Sequence, residues 1–313
     1  NNYVYKRYWV YWKFSFWYCS NLSTIDLTKC VHIGDNAFEG CLQFSSITFQ
    51  NASITIGNKA FYFCSNLETV KFLGSNASIG EYAFYNTHLK SVIFPNDYVD
   101  IGMKAFSENI ELNSIIFKGS SVKIKSEAFA NCSNLQSITF PNNIVDIGDR
   151  AFLNCFNLSS IKSQNDEFLN GIVSIGSYSF AQTNLTSITF KSSDATLKNY
   201  SFCNCTNLNS IEFLSGVVSI GSYSFGQTKL TSITFKSSST TIGNYSFCNC
   251  TNLKSIEFLN GVVSIGSYSF KQTVLASITF KSSSTTIGDY AFYNLMTLNS
   301  IEFCSKSNFV NSE

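Results

Sequence analysis

The stretch GSYSFGQTKLTSITFKSSSTTIGNYSFCNCTNLKSIEFLNGVVSI, residues 221–265, is preceded and followed by near copies of itself. Length alone would suggest two domains for 313 residues, but self-similarity takes precedence over that prior. Working outward from the quoted block, an Ile that usually precedes Gly recurs as Ile33, Ile56, Ile79, Ile101 and onward to Ile287, with Leu197 in one copy. The steps are 22 or 23 residues, except one of 28 between Ile147 and Ile175. A Phe stands five residues after each, from Phe38 to Phe292, and a degenerate leading copy, SFWYCSNLSTIDL, supplies Phe16.

The unit reads L-x-S-I-x-F, a variable hinge, then I-G-x-x-A/S-F-x-x-C/T. The S-I-x-F piece alternates polar with large apolar side chains and is β-branched, which predicts a short half-buried strand. One such strand per unit cannot pair with itself. Pairing with the equivalent strand of the next unit predicts a parallel sheet of thirteen strands, about 60 Å long at about 4.8 Å per strand. The I-G-x-x-A-F segment returns on the other side, with room for no more than a helical or 3₁₀ turn. Twenty-five of the thirty Phe residues fall in two columns, so Phe forms a structural spine and each unit relies on its neighbours to cover its apolar face.

With its L-x-x-I-x-F…I-G-x-x-A-F-x-x-C-x-x-L pattern, as in LQSITFPNNIVDIGDRAFLNC and LKSVIFPNDYVDIGMKAF, the chain resembles the BspA-like leucine-rich repeats of bacterial and protozoan surface antigens. The resemblance covers residues 11 to 303. It implies an α/β repeat solenoid: a right-handed leucine-rich-repeat coil with a parallel β-sheet on the concave face and short helical or 3₁₀ turns and loops on the convex face. It also implies a cell-surface or secreted protein, an antigen or adhesin that binds a host or extracellular-matrix protein. The expected organisation is an atypical amino-terminal cap with a degenerate repeat over residues 1–31, an array of about twelve repeats over 32–303, and a tail over 304–313. An irregular insertion falls near 162–167, carrying Asn165, Asp166 and Glu167, and the reading places Phe168 back in register after it. A junction between two arrays accounts for it better than a functional loop does.

Composition narrows the function classes. Twenty-one Lys plus Arg against twenty Asp plus Glu give a net charge of +1, which offers nothing to nucleic acid or an anionic membrane. Charged residues are only 13 % of the chain, so Ser, Thr and Asn keep the surface wet. No apolar run is long enough to insert into a membrane. The two histidines, His32 and His88, have no evident Asp or Ser partner and are expected in loops facing solvent, so no enzyme constellation is present and no cofactor or metal is expected. Seven of the eleven Cys share the column three after Phe with Thr, Asn and Leu, a packing position that predicts buried free thiols; Cys41 with Cys64 and Cys132 with Cys155 stand one unit apart, which leaves a bridge under oxidation undecided by the sequence. Ten N-x-S/T motifs are candidate glycan sites in a secreted protein.

A partner is expected to read the outward residues of S-I-x-F. In the second half of the chain these tile as Ser, Thr, Glu, Lys and Leu, and the charges cancel. In the first half Leu73, Ile93, Pro95, Ile116 and Pro141 group together, flanked by Lys71 and Lys118, and form the candidate protein-binding patch; Pro as family consensus and the two Ile as sheet formers explain the same residues equally well. Near-identical blocks leave selectivity to the columns that vary. The alternative reading is an intracellular scaffold of the same fold, favoured by the free thiols.

Overall fold

The computed structural model describes residues 9–95, 97–141, 145–163, 172–191, 194–214, 217–236, 239–281, 284–303 and 308–309. These form a parallel β-solenoid of about twelve turns in which each coil contributes two strands, where the sequence pattern had suggested one. The S-I-x-F strands, such as Ser46–Phe49 and Thr69–Phe72, make two six-stranded parallel sheets rather than a single run. The residues read as a variable hinge supply the other strands, such as Ser53–Ile56, Asn76–Ile79 and Tyr98–Ile101, in one 14-stranded parallel sheet. Both strand types alternate exposed and buried residues, so Ile54 and Ile56 point inward as Ile47 and Phe49 do.

The third side of each coil carries I-G-x-x-A-F-x-x-C, and the expected helical or 3₁₀ turn is absent among the described residues. In the coil of Gly57, the third and seventh residues after Ile56, Lys59 (φ 54°) and Phe63 (φ 56°), are in the left-handed region, a pattern the other coils repeat. A left-handed residue every fourth position prevents a run of right-handed ones. The N–H groups then divide between two uses. Those of Lys59, Phe61 and Phe63 donate to Glu81, Ala83 and Tyr85 carbonyls of the next coil, and those of Ala60, Tyr62 and Cys64 close short turns onto Gly57, Lys59 and Phe61. This side is therefore a hydrogen-bonded ladder as well, and within each S-I-x-F sheet a coil is tied to the next on all three sides, whereas Ser160–Ser163 and Ser187–Phe190 belong to different sheets.

The core is a pair of aromatic columns. From Phe16 to Phe292 the first column stacks without a gap, at 5.1–5.4 Å between ring centroids. Phe152 and Phe180 stack at 5.1 Å even though the 28-residue step separates them, so the extra residues leave this column intact. The interruption falls on the S-I-x-F side. The strand Ser160–Ser163 pairs with Ser137–Phe140 and puts buried Ser163 where other coils have the second Phe, and the next S-I-x-F strand, Ser187–Phe190, starts a new sheet. Asn165, Asp166, Glu167 and Phe168 lie outside the described residues.

The column three after Phe is chosen for a donor as well as for size. Cys64 Sγ donates to the Phe38 carbonyl at 3.1 Å, and Cys132 and Cys155 do the same to Phe106 and Phe129. Asn109 Nδ2 reaches both Phe84 and Phe106 carbonyls. In the second half Thr and Cys alternate. Thr183 Oγ1 donates to its own coil's Phe180 carbonyl at 2.9 Å, and Cys205 Sγ reaches back to that same carbonyl at 3.1 Å; Thr228 and Cys250 repeat this on Phe225. The two coils of the 45-residue block are thus complementary, which gives a physical reason for the block to multiply as a pair.

The residue before the first-column Phe is Ala in the first half and Ser over most of the second. Ser224 Oγ donates to Gly221 and Lys198 carbonyls, whereas the buried Ser201 Oγ has no partner. Burying an unpaired hydroxyl is unfavourable. Ser201→Ala is expected to raise the free energy of unfolding by up to about 1 kcal/mol while Ser224→Ala lowers it; urea titrations of the two variants check the sign.

Candidate protein-binding face

Outward positions of the first S-I-x-F sheet form a register ladder that runs Thr48, Lys71, Ile93, Ile116, Thr139 and Lys162 across six adjacent strands. Parallel pairing in register sets like column against like column, so the two Ile side chains are neighbours because their strands, Ser91–Phe94 and Ser114–Phe117, are. Just beyond the strands, Leu73 and Lys118 donate their N–H groups to Phe49 and Phe94 carbonyls at 2.9 and 2.8 Å. Pro95 holds the equivalent place without a donor.

Of the seven candidate residues, Leu73 is 57 % and Ile93 41 % exposed, Lys71 and Lys118 are exposed, and Ile116 and Pro95 are half-buried. Pro141 is buried, and the structure removes it from the presented patch: it follows the strand end at fully buried Phe140 and is enclosed with it. The rim is of mixed sign, since Lys90 pairs with Glu68 at 2.6 Å, each just ahead of a strand of the same sheet. On the second S-I-x-F sheet the equivalent ladder is Thr189, Glu212, Thr234, Glu257, Thr279 and Glu302, as the sequence pattern indicated.

Other candidates for chemistry are dispersed. His32 lies half-buried within the strand Cys30–Ile33 rather than in an exposed loop, and its backbone carbonyl accepts from Cys30 Sγ; His88 is half-buried in a connecting segment. No group of three or more His, Cys, Asp or Glu is placed to hold a metal ion among the described residues, and no helix there is long and apolar enough to cross a membrane. The ten described cysteines are free thiols, Cys41, Cys64, Cys132 and Cys155 included. Burial pushes Cys30, Cys41 and Cys205 up to about 11 and Cys132 and Cys250 up to about 12, from an ordinary value near 9. Such thiols are poor nucleophiles.

Two results follow. At neutral pH a thiol reagent is expected to label only exposed Cys19 and half-buried Cys203 promptly among the ten, and the rest only in denaturant; prompt labelling of Cys132 would mean that the coil interior opens. The raised values favour the folded state below pH 9, so stability is expected to fall as pH rises from about 9 through 11–12. Denaturation midpoints across that range check the sign.

Several sequon asparagines are already engaged. Asn51 Nδ2 donates to Thr28 and Cys30 carbonyls, Asn131 bridges Glu108 and Asn154, and Asn199 and Asn244 accept the N–H groups of Ser222 and Ser267. The sequence reading missed a surface column of stacked tyrosines. Tyr178, Tyr200, Tyr223, Tyr245, Tyr268 and Tyr290 lie at 4.5–5.0 Å between centroids, and the recurring Tyr-Ser-Phe and Tyr-Ala-Phe triplets were the signal for it.

Stacked coils of this length, two short strands and a ladder turn each, define a leucine-rich-repeat solenoid. The sequence profile of the BspA type leucine rich repeat region matches residues 12–110, 99–172 and 173–299, and the chain belongs to that family. Among solved structures, a leucine-rich repeat protein from Bacteroides ovatus is similar, with a TM-score of 0.57 and 22 % identity over 90 % of this chain and 66 % of that one. Others are the pneumococcal vaccine antigen PcpA (TM-score 0.45, 19 % identity, 88 % and 85 % covered) and a leucine-rich cell surface protein from Faecalibacterium prausnitzii (0.36, 20 %, 94 % and 69 %). At these identities the likeness is one of fold. Comparison with curated proteins finds no match.

Proposed function

We propose that the chain is a non-enzymatic recognition protein, a cell-surface antigen or adhesin, that binds a host or extracellular-matrix protein through its first S-I-x-F sheet. The observation that carries this reading is the contrast between the two sheets. Exposed Ile93 stands beside half-buried Ile116 on the first, where the matching ladder of the second alternates Thr with Glu, and in the column after Phe, Leu73 is exposed whereas Leu214 and Leu259 are half-buried. Apolar side chains on a flat, rigid sheet are covered at low entropic cost, because the sheet is ordered before the partner arrives. Lys71 and Lys118 flank them and favour a partner with acidic groups around an apolar contact. Solenoids of this family typically carry no catalytic site, and the buried, raised-pKa thiols agree with that.

The test is a panel of purified matrix proteins presented on a biosensor to the wild type and to Ile93→Ser/Ile116→Ser. Loss of at least about tenfold in affinity, roughly 1.4 kcal/mol, with unchanged unfolding supports the face; unchanged affinity contradicts it. A second reading, an intracellular scaffold, is favoured by the free thiols. Intact mass of the chain from its own cell separates the two, since occupied sequons go with secretion and bare ones with the scaffold.

A further inference from the structure

A cleft of about 380 Å³ opens on the ladder side, next to the 28-residue step, lined by Phe156, Gln182, Thr183, Asn184, Asn204 and Thr206. Its position follows from the irregular coil. Phe156 stands four residues after Phe152, in a column that holds Ser133 one coil earlier and Asn184 one coil later. Phe152 is fully buried in the stack, but the Phe156 ring is 54 % exposed and has no ring partner among the described residues. The local hydrogen bond between coils, Asn154 N–H to the Ala181 carbonyl, is long at 3.3 Å, against 3.0 Å for Gln182 to Cys203 and Asn204 to Gly226.

The lining has a consistent chemistry. None of the six residues is charged. Thr183 is the floor: it is buried and its hydroxyl is spent on the Phe180 carbonyl at 2.9 Å. Gln182 and Asn204 sit side by side in adjacent coils, both in left-handed backbone (φ 61° and 60°) and both anchored through their N–H groups, so their amides project from fixed points. Asn184 Oδ1 accepts from Asn207 Nδ2, which leaves its NH₂ group as the donor it can offer in the cleft. Each amide, and the exposed Thr206 hydroxyl, both donates and accepts.

One exposed aromatic face beside neutral groups that donate and accept is complementary to a molecule with an apolar C–H face and a rim of hydroxyls. We infer that this cleft is a binding site for a neutral pyranose sugar, with Phe156 under the apolar face of the ring and Gln182, Asn184, Asn204 and Thr206 on its hydroxyls. An ion is a poorer occupant, because no opposite charge lines the cleft. The volume lies at the small end of the range for ligand clefts, about 300–1,000 Å³. An open cleft with few contacts implies an affinity near 1 mM, about 4 kcal/mol. The site is remote from the Ile93 face and independent of the protein-binding proposal.

The test is saturation-transfer NMR on chain produced in bacteria, so that Asn184 and Asn204, which both head N-x-T motifs, carry no attached glycan. Methyl glycosides of glucose, galactose, mannose and N-acetylglucosamine are titrated to about 20 mM. The expected result is transfer to the apolar-face protons of at least one glycoside, reduced more than tenfold by Phe156→Ala, weakened by Asn204→Ala, and unaffected by Ile93→Ser/Ile116→Ser. Phe156→Trp is expected to retain it. A soluble polysaccharide of the same sugar is run in parallel; stronger retention of the polymer assigns an internal residue of a chain, and equal retention a terminal one. Absence of transfer from every glycoside, or transfer that survives Phe156→Ala, overturns the proposal.

Discussion

Phe106→Ala is expected to lower the free energy of unfolding by about 3–5 kcal/mol. The ring is fully buried, stacked at 5.1 Å on both Phe84 and Phe129 and met edge-on by Phe94 at 6.0 Å. Truncation removes two stacking contacts and one edge contact at once, and leaves a cavity that the coils above and below cannot close, since their own hydrogen bonds fix the spacing. Because each coil contacts only its neighbours, the lesion also weakens coupling between the two halves. Urea unfolding followed by circular dichroism is expected to show a lower midpoint and a broadened or split transition. The matched control is Phe156→Ala, whose ring is exposed, with a change within about 0.5 kcal/mol. Equal effects for the two would contradict the stacked-column account.

Gly102→Ala is expected to cost about 1–3 kcal/mol, although it adds a single methyl group. An added Cβ would lie 2.6 Å from the Gly80 carbonyl carbon and 2.7 Å from the Gly80 and Ile79 carbonyl oxygens, all backbone atoms of the preceding coil that cannot swing aside. The chain already contains the comparison. Lys125 and Lys198 stand in this glycine column, and their N–H groups reach the previous coil at 2.9 Å, where Gly102 and Gly221 do so at 2.7 Å. A side chain here is accommodated by loosening the stack. Gly226→Ala, whose Cβ would meet nothing closer than 3.4 Å, is the control and is expected to be near neutral. Thermal melts of the two variants decide whether close coil approach, rather than glycine flexibility, fixes this column.

The repeat, the two Phe columns and the inward face of S-I-x-F were legible in the sequence because each depends on side-chain type at a fixed period. The second strand was not. In Ser53–Ile56, Asn76–Ile79 and Tyr98–Ile101 the first residue changes in every coil, and the inward residue ranges from Ile54 to Ala77 to Thr240, so the alternation is diluted to the look of a hinge. The missing helical turn has a backbone cause. Left-handed residues such as Lys59, Tyr82 and Lys104 bear ordinary side chains and give no glycine signal. At the candidate face, strand periodicity correctly turned Ile93 and Lys71 outward, but Pro141 lies past the strand end, where period-two alternation no longer says which way a side chain points. The Phe156 cleft depends on coil spacing beside the long step, which no column of residue types records.

The most direct test of the central claim, that shared columns set the shape and the variable first sheet does the recognising, is amide hydrogen exchange with and without the matrix protein selected by the biosensor panel. The account predicts added protection in the strands Thr69–Phe72, Ser91–Phe94 and Ser114–Phe117 and in the residues that follow them, with none in Ser232–Phe235 and Ser255–Phe258 of the second sheet. Protection concentrated on the Thr and Glu ladder of the second sheet, or on the tyrosine column, would contradict it.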